Sequence, residues 1–342
     1  MYKEKRLSRS EFVPIRGLNY HVQIWDSRDP NATATSAGPP HARPAPLFGQ
    51  RGSEPPEAHA VGSVGVPLVL LHGWMDVAAS YQFMVDAFSS AFAQGRTIIA
   101  PDWRGFGKTV PAQPASMADS YWFPDYLADV DFLLDHYFKG HAVDLVGHSM
   151  GGNVAMMYAG VRPERVRKLV NLEGFGLAAT QPEQAPARYA KWMDELKSLQ
   201  RGELDLKPYD DVSGVARRLM KTNPRLTQDK ASWLASHWSS PDASGKWKIL
   251  GDPAHKVSSA NLYRMEEALA IYRCITAPVL AVEASDNSMS KWWQGQYTLP
   301  EYHERLKEVP SVQIAVVSDA GHMLHHDQPE ALAGLIETFL AD

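Results

Sequence analysis

A serine set between two glycines, Gly147-His148-Ser149-Met150-Gly151, is the residue of this sequence best suited to nucleophilic chemistry. A serine hydroxyl attacks usefully only when a base takes its proton, and only when its backbone turn lifts Oγ clear of the chain. The GxSxG spacing answers the second need, because on a sharp strand-to-helix turn the positions two before and two after the serine leave no room for a side chain. Met150 would open the following helix, whose free N–H groups and positive end face any developing oxyanion. A second donor is expected at His72-Gly73-Trp74, where an apolar strand runs into a glycine, and the Trp74 N–H is the candidate. Charged groups stand where other strands give out. Glu173 follows the apolar residues 165–172, Asp286 follows 277–282, and His322 lies in Asp319-Ala320-Gly321-His322 beyond 311–317. Carboxylates at the carboxyl ends of parallel strands reach a shared crevice.

The elements that must hold these groups are legible in the hydrophobic pattern. Residues 67–71, 96–100, 142–146, 165–172, 277–282 and 311–317 are short apolar runs of the kind buried in a parallel sheet. Between them, 122–138, 153–159 and 329–340 carry helical spacing. Residues 12–15 and 19–25 alternate apolar and polar side chains around Arg16-Gly17-Leu18, which predicts an opening hairpin. From 175 to about 276 the alternation of strand and helix stops. Helical patterns at 187–199, 212–221, 230–237 and 260–272 replace it, with Trp192, Trp233, Trp238 and Trp247 among and beside them. This predicts a helical cap, 174–276, inserted into a sheet domain made of 1–173 and 277–342. Within the first part, 27–66 holds seven prolines, five glycines and a single aromatic residue, Phe48, and predicts a surface insertion.

Bulk properties exclude several classes. The 342 residues, 44% hydrophobic, suffice for one large core and a subsidiary one. A net charge of -5 with scattered Lys and Arg argues against nucleic acid. Cys274 is the only cysteine, so an internal disulfide or thiolate cluster is impossible, and a buried filling role is expected of it. No apolar run is long enough to span a bilayer, and no signal peptide is evident, so a cytoplasmic protein, monomer or homodimer, is expected. Gly105-Phe106-Gly107-Lys108-Thr109 imitates a phosphate loop, but Asp102 stands where the first glycine of that motif belongs, and nucleotide binding is rejected. An Asp102–Arg104 ion pair is expected to lock this loop instead. His322, His325 and His326 lack a matching ligand cluster elsewhere, so no metal and no cofactor is expected.

The strand followed by HGW, then PDWRGFG, GHSMGG, a helical insertion, APVL…SD and AGHMLHHDQPE resemble, in that order, the α/β-hydrolase fold. LHGWMDVAAS and LYRMEEALAIYRCITAPVL are similar to its serine hydrolase-like branch, related to cap-bearing esterases and epoxide hydrolases. The resemblance implies a mostly parallel eight-stranded sheet flanked by helices, with an inserted cap. It implies a triad of Ser149, Asp286 and His322, in the family's chain order, with an oxyanion hole at the N–H groups of Trp74 and Met150. One departure concerns the acid: the family shows glycine three residues before it, where this chain has Glu283, and Glu173 occupies a place that some relatives use. Glu173 therefore stays open as the alternative.

Together these features point to a cofactor-independent serine hydrolase that cleaves a carboxylic ester through an acyl-enzyme. The partner is a small-molecule substrate with a hydrophobic acyl or alcohol part, lined by Trp74, His148, Trp192, Trp233 and Trp238. His148 would pack beneath the serine rather than titrate, and His325 and His326 would satisfy nearby polar groups. Carbon–carbon bond hydrolysis, thioester or lactone cleavage, acyl transfer and perhydrolysis fit the same triad. Binding of a small ligand without turnover, and a protein-interaction role for 27–66, are the readings from other classes.

Overall fold

The computed structural model describes residues 2–26, 65–113 and 118–341, and the insertion expected at 27–66 falls almost wholly outside them. The strands are β1 (Arg9–Ile15), β2 (Leu18–Trp25), β3 (Leu68–Leu71), β4 (Ile98–Pro101), β5 (Val110–Pro111), β6 (Val143–His148), β7 (Val166–Leu172), β8 (Ser239–Pro241), β9 (Trp247–Ile249), β10 (Val279–Ala284) and β11 (Val312–Val317). The helices are α1 (Gln82–Ala87), α2 (Ser90–Ala93), α3 (Phe123–Tyr137), α4 (Met150–Val161), α5 (Ala185–Gln200), α6 (Val212–Thr222), α7 (Gln228–Trp238), α8 (Met265–Tyr272), α9 (Met289–Trp293), α10 (Leu299–Leu306), α11 (Leu324–Asp327) and α12 (Pro329–Ala341).

Eight strands run in the order β1-β2-β4-β3-β6-β7-β10-β11, and the two-residue β5 adds to β2. The β1/β2 hairpin and the β2/β4 pair are antiparallel, and every pair from β4 to β11 is parallel. The central strands are apolar throughout because both faces are covered. Leu68 and Leu70 of β3 pack with α1 and α12, whereas Val69 and Leu71 pack on the side of α3 and α4.

Between β7 and β10 lie α5 to α8, as the helical patterns predicted, together with the short antiparallel pair β8/β9, which they did not. The fourth helix begins at Met265 rather than 260, since Ser259 and Asn261 are held by local turn bonding. An apolar cluster of Val215, Leu219, Trp233 and Leu234 packs this segment onto Val77, which precedes α1, and onto Phe83 within it. Cys274 is exposed rather than buried. It follows α8, with Sγ 3.5 Å from the Ala270 carbonyl oxygen. Among the described residues no helix is long and apolar enough to cross a membrane.

Candidate active site

Sheet register brings three loops together at the carboxyl ends of β3, β6 and β7. Leu71 is paired with Gly147 and His148 with Leu172, so Gly73-Trp74, Ser149 and Glu173 emerge side by side. Ser149 stands between β6 and α4 at φ 52°, a left-handed conformation that costs a non-glycine residue about 1–3 kcal/mol. Packing holds it there. A Cβ on Gly147 would run into the Gly151 carbonyl, and one on Gly151 into the Leu71 carbonyl oxygen, so the turn closes only with glycine at both places. The Ser149 N–H donates to Leu172 O at 2.8 Å, while the side chain stays partly exposed among buried neighbours.

His322 faces this turn from the loop after β11. His148, the residue before Ser149, donates from Nε2 to the His322 carbonyl oxygen at 2.7 Å, and the two rings lie 4.7 Å apart. On its other side, His322 Nδ1 is 3.2 Å from Glu173 Oε2 and 3.2 Å from the Ser288 hydroxyl. Ser288 donates to Glu173 Oε2 at 3.3 Å, and the Ala284 N–H donates to Oε1 at 2.8 Å. The carboxylate against His322 is therefore Glu173, not Asp286. Glu173 directly follows β7, the neighbour of β6, and its own φ of 55° marks a tight turn there. Asp286 stands one strand further out. Its backbone N–H is taken by Ala320 O, and its side chain turns away, 72% exposed, to meet Arg225 at 3.4 Å.

Burial sets the electrostatics of this pair. It pushes the Glu173 carboxyl up to about 7, against the Ala284 and Ser288 donors that pull it down. It drives His322 down to about 3, so the imidazole is neutral at neutral pH and free to accept a proton.

The remaining candidates divide. Trp74, directly after Gly73, is 52% exposed, and Met150 is the first residue of α4, directly after Ser149. Trp292 was not singled out by the sequence, yet it lies edge-on to the His322 ring at 4.1 Å and is 49% exposed. His148 is buried against His322, with 2% of its surface exposed. Trp233 is buried as well, packed on Tyr2 and Phe83, with its indole N–H donating to Glu4, so it serves the core rather than a pocket. Trp238 is partly buried and donates to Asp76 Oδ1 at 2.9 Å, and Trp192 is partly buried on α5. The expected Asp102–Arg104 pair is absent. Asp102 accepts from His21 Nδ1 and from the N–H groups of Ala78 and Lys108, while Arg104 forks onto Asp129 of α3 at 2.6 and 2.7 Å. Each anchors the same loop separately, because Asp102 points into the sheet and Arg104 toward α3. His325 and His326 both contact the Ser80 hydroxyl, at 3.1 and 2.6 Å.

Comparison with known proteins agrees with this architecture. A serine hydrolase-like protein of Danio rerio is 25% identical over 292 residues, covering 81% of this chain and 82% of its own. A 2-hydroxymuconate semialdehyde hydrolase of Pseudomonas putida is 25% identical over 279 residues, covering 81% of this chain and 88% of its own. The thioesterase domain from the curacin biosynthetic pathway superposes with a TM-score of 0.70 at 20% identity, covering 96% of this chain and 99% of that one. The family model for the alpha/beta hydrolase fold matches residues 66–329. With that match spanning most of its length, and with this strand order and the tight serine turn between β6 and α4, this chain belongs to the alpha/beta hydrolase fold family.

Proposed function

We propose that the protein is a serine hydrolase whose triad is Ser149, His322 and Glu173, and that it cleaves a carboxylic ester through an acyl-enzyme. The observation that carries this is Ser149 itself, a non-glycine residue held at positive φ with His148 beside it tied to the His322 loop. Strain of this kind, held in place by close packing, is characteristic of sites where function requires it.

Each group has a role that its chemistry allows. Neutral His322 takes the Ser149 proton as Oγ attacks the carbonyl carbon, and the imidazolium that forms is stabilised by Glu173 at Nδ1. The N–H groups of Met150 and Trp74 receive the oxyanion, each donor of this type being worth roughly 3 kcal/mol of barrier. His322 then returns the proton to the leaving alkoxide, and a water deprotonated by the same imidazole releases the acid. Residues 174–276 roof the site as a cap, and the exposed rings of Trp74 and Trp292 form apolar walls for the acyl or alcohol part.

A relative named for hydrolysing 2-hydroxymuconate semialdehyde, which is not an ester, makes carbon–carbon bond hydrolysis on the same residues the second reading. Labelling by a fluorophosphonate probe tests the shared core of both. Wild type is expected to label and Ser149→Ala not to label at all. Labelling that survives Ser149→Ala, or a folded wild type that never labels, would overturn the assignment. A screen of p-nitrophenyl esters against vinylogous diketones then separates ester from carbon–carbon cleavage.

A further inference from the structure

Directly behind the Ser149 turn, three buried side chains gather potential ligand atoms in one place. Asp76, His148 and His325 are only 3%, 2% and 0% exposed. Each offers one ligand atom, and these atoms lie within 4.8 Å of one another. Among the described residues, Asp76 Oδ2, His148 Nδ1 and His325 Nδ1 have no hydrogen-bond partner. Buried polar atoms without partners are rare, and each costs about 1–3 kcal/mol.

The neighbours of His148 fix its tautomer. His148 Nε2 lies 2.7 Å from the His322 carbonyl oxygen, which can only accept, so Nε2 carries the proton and Nδ1 presents a lone pair. Burial keeps both imidazoles neutral. Asp76 Oδ1 is already committed to the Val77 N–H and the Trp238 indole, which leaves Oδ2 without a hydrogen bond on a carboxyl that burial pushes up to about 7. His325 Nε2 is 3.9 Å from that oxygen and 3.1 Å from the Ser80 hydroxyl, and its ring lies 4.5 Å from the His148 ring. Two acceptors without partners, Asp76 Oδ2 and His148 Nδ1, gathered with the buried imidazole of His325 in a dry place call for a positive group between them.

We propose that Asp76, His148 and His325 form a site for one divalent transition cation of the zinc class. Two imidazoles and a single carboxylate suit such an ion, whereas calcium and magnesium require several oxygen ligands. Bonds of about 2.0–2.1 Å place tetrahedral ligands roughly 3.4 Å apart. The three atoms, now within 4.8 Å of one another, would draw together to that distance around the ion. The Ser80 hydroxyl at His325 and the His322 carbonyl at His148 are the partners that orient the two rings. The ion would sit close to the nucleophile, since a Cβ placed on Gly73 would lie 3.0 Å from His148 Nδ1 and 3.3 Å from Ser149 Cβ. Because His148 also holds the His322 loop, occupancy is coupled to the reacting side chains.

The test of this assignment reads binding rather than turnover, so its outcome does not depend on the proposed hydrolysis. The full chain, stripped with chelator and carrying no affinity tag, is dialysed against zinc and analysed for bound metal. One equivalent is expected to survive dialysis in wild type and to be lost in Asp76→Asn and in His325→Gln. Cobalt in place of zinc should give the intense visible bands of a tetrahedral site, and zinc should raise the Tm of wild type only. Equal binding by wild type and both variants would mean adventitious surface histidines and would overturn the proposal. So would no retained metal, which would leave a shared proton or a water among the three groups. If the variants do not fold, anomalous diffraction from zinc-soaked wild-type crystals decides: density between the three residues supports the site, and density only elsewhere overturns it.

Discussion

Glu173→Gln separates the contribution of this carboxylate to catalysis from its cost to the fold. Burial raises the Glu173 carboxyl from an ordinary 4.5 to about 7, so the folded protein binds this proton more tightly than the unfolded chain does. The stability contributed by Glu173 is therefore complete below about pH 4.5 and is lost as pH rises through about 7. The difference corresponds to about 3 kcal/mol at pH 8. Glutamine keeps the shape and never ionises. Allowing about 1 kcal/mol for a poorer match to the Ala284 and Ser288 donors, Glu173→Gln should be about 2 kcal/mol more stable than wild type at pH 8. At pH 5 it should be equal or slightly less stable. Turnover should move the opposite way, falling roughly 10⁴-fold, the scale seen when the acid of a serine triad is neutralised. Asp286→Asn, on an exposed side chain, should change neither property by more than about twofold in rate or 0.5 kcal/mol. Urea unfolding at pH 5 and pH 8, beside hydrolysis of a p-nitrophenyl ester, measures both quantities. Loss of turnover in Asp286→Asn with retention in Glu173→Gln would refute the assignment of the acid, and destabilisation of Glu173→Gln at pH 8 would refute the burial argument. In wild type, kcat/KM should decline as pH falls below about 7, where protonated Glu173 no longer accepts from His322.

Ser288→Ala removes a hydroxyl that touches both His322 and Glu173, so kcat should fall about tenfold with KM unchanged, the signature of a group that positions the imidazole. Gly151→Ala would press a Cβ onto the Leu71 carbonyl oxygen, and a loss of about 3 kcal/mol or more, read by urea unfolding, is expected. Asp327→Ala strips the acceptor shared by Asn223 Nδ2 and the Gly321 N–H, at 2.7 and 2.9 Å. This should cost about 1–3 kcal/mol and speed hydrogen exchange in the His322 loop, as measured by mass spectrometry.

Local chemistry determined much of this protein. The glycines flanking Ser149 could be read from sequence because the constraint is steric and lies within five residues. The buried strands could be read because a parallel sheet covered on both faces demands unbroken apolar runs. What the sequence left open was decided across strands. Glu173 and Asp286 each follow an apolar run, and nothing local ranks them. The register that sets β7 beside β6 puts Glu173 next to the Ser149 turn, while β10 stands one strand away and turns Asp286 out to Arg225. The same limit hid Ser288 and Trp292, whose contacts with His322 span 34 and 30 positions, and it hid the gathering of Asp76, His148 and His325 from three separate elements. Tryptophan spacing could not tell core from pocket. Trp233 lost its place at the site because the N-terminal residues Tyr2 and Glu4 pack over it, a partnership that only the tertiary fold creates.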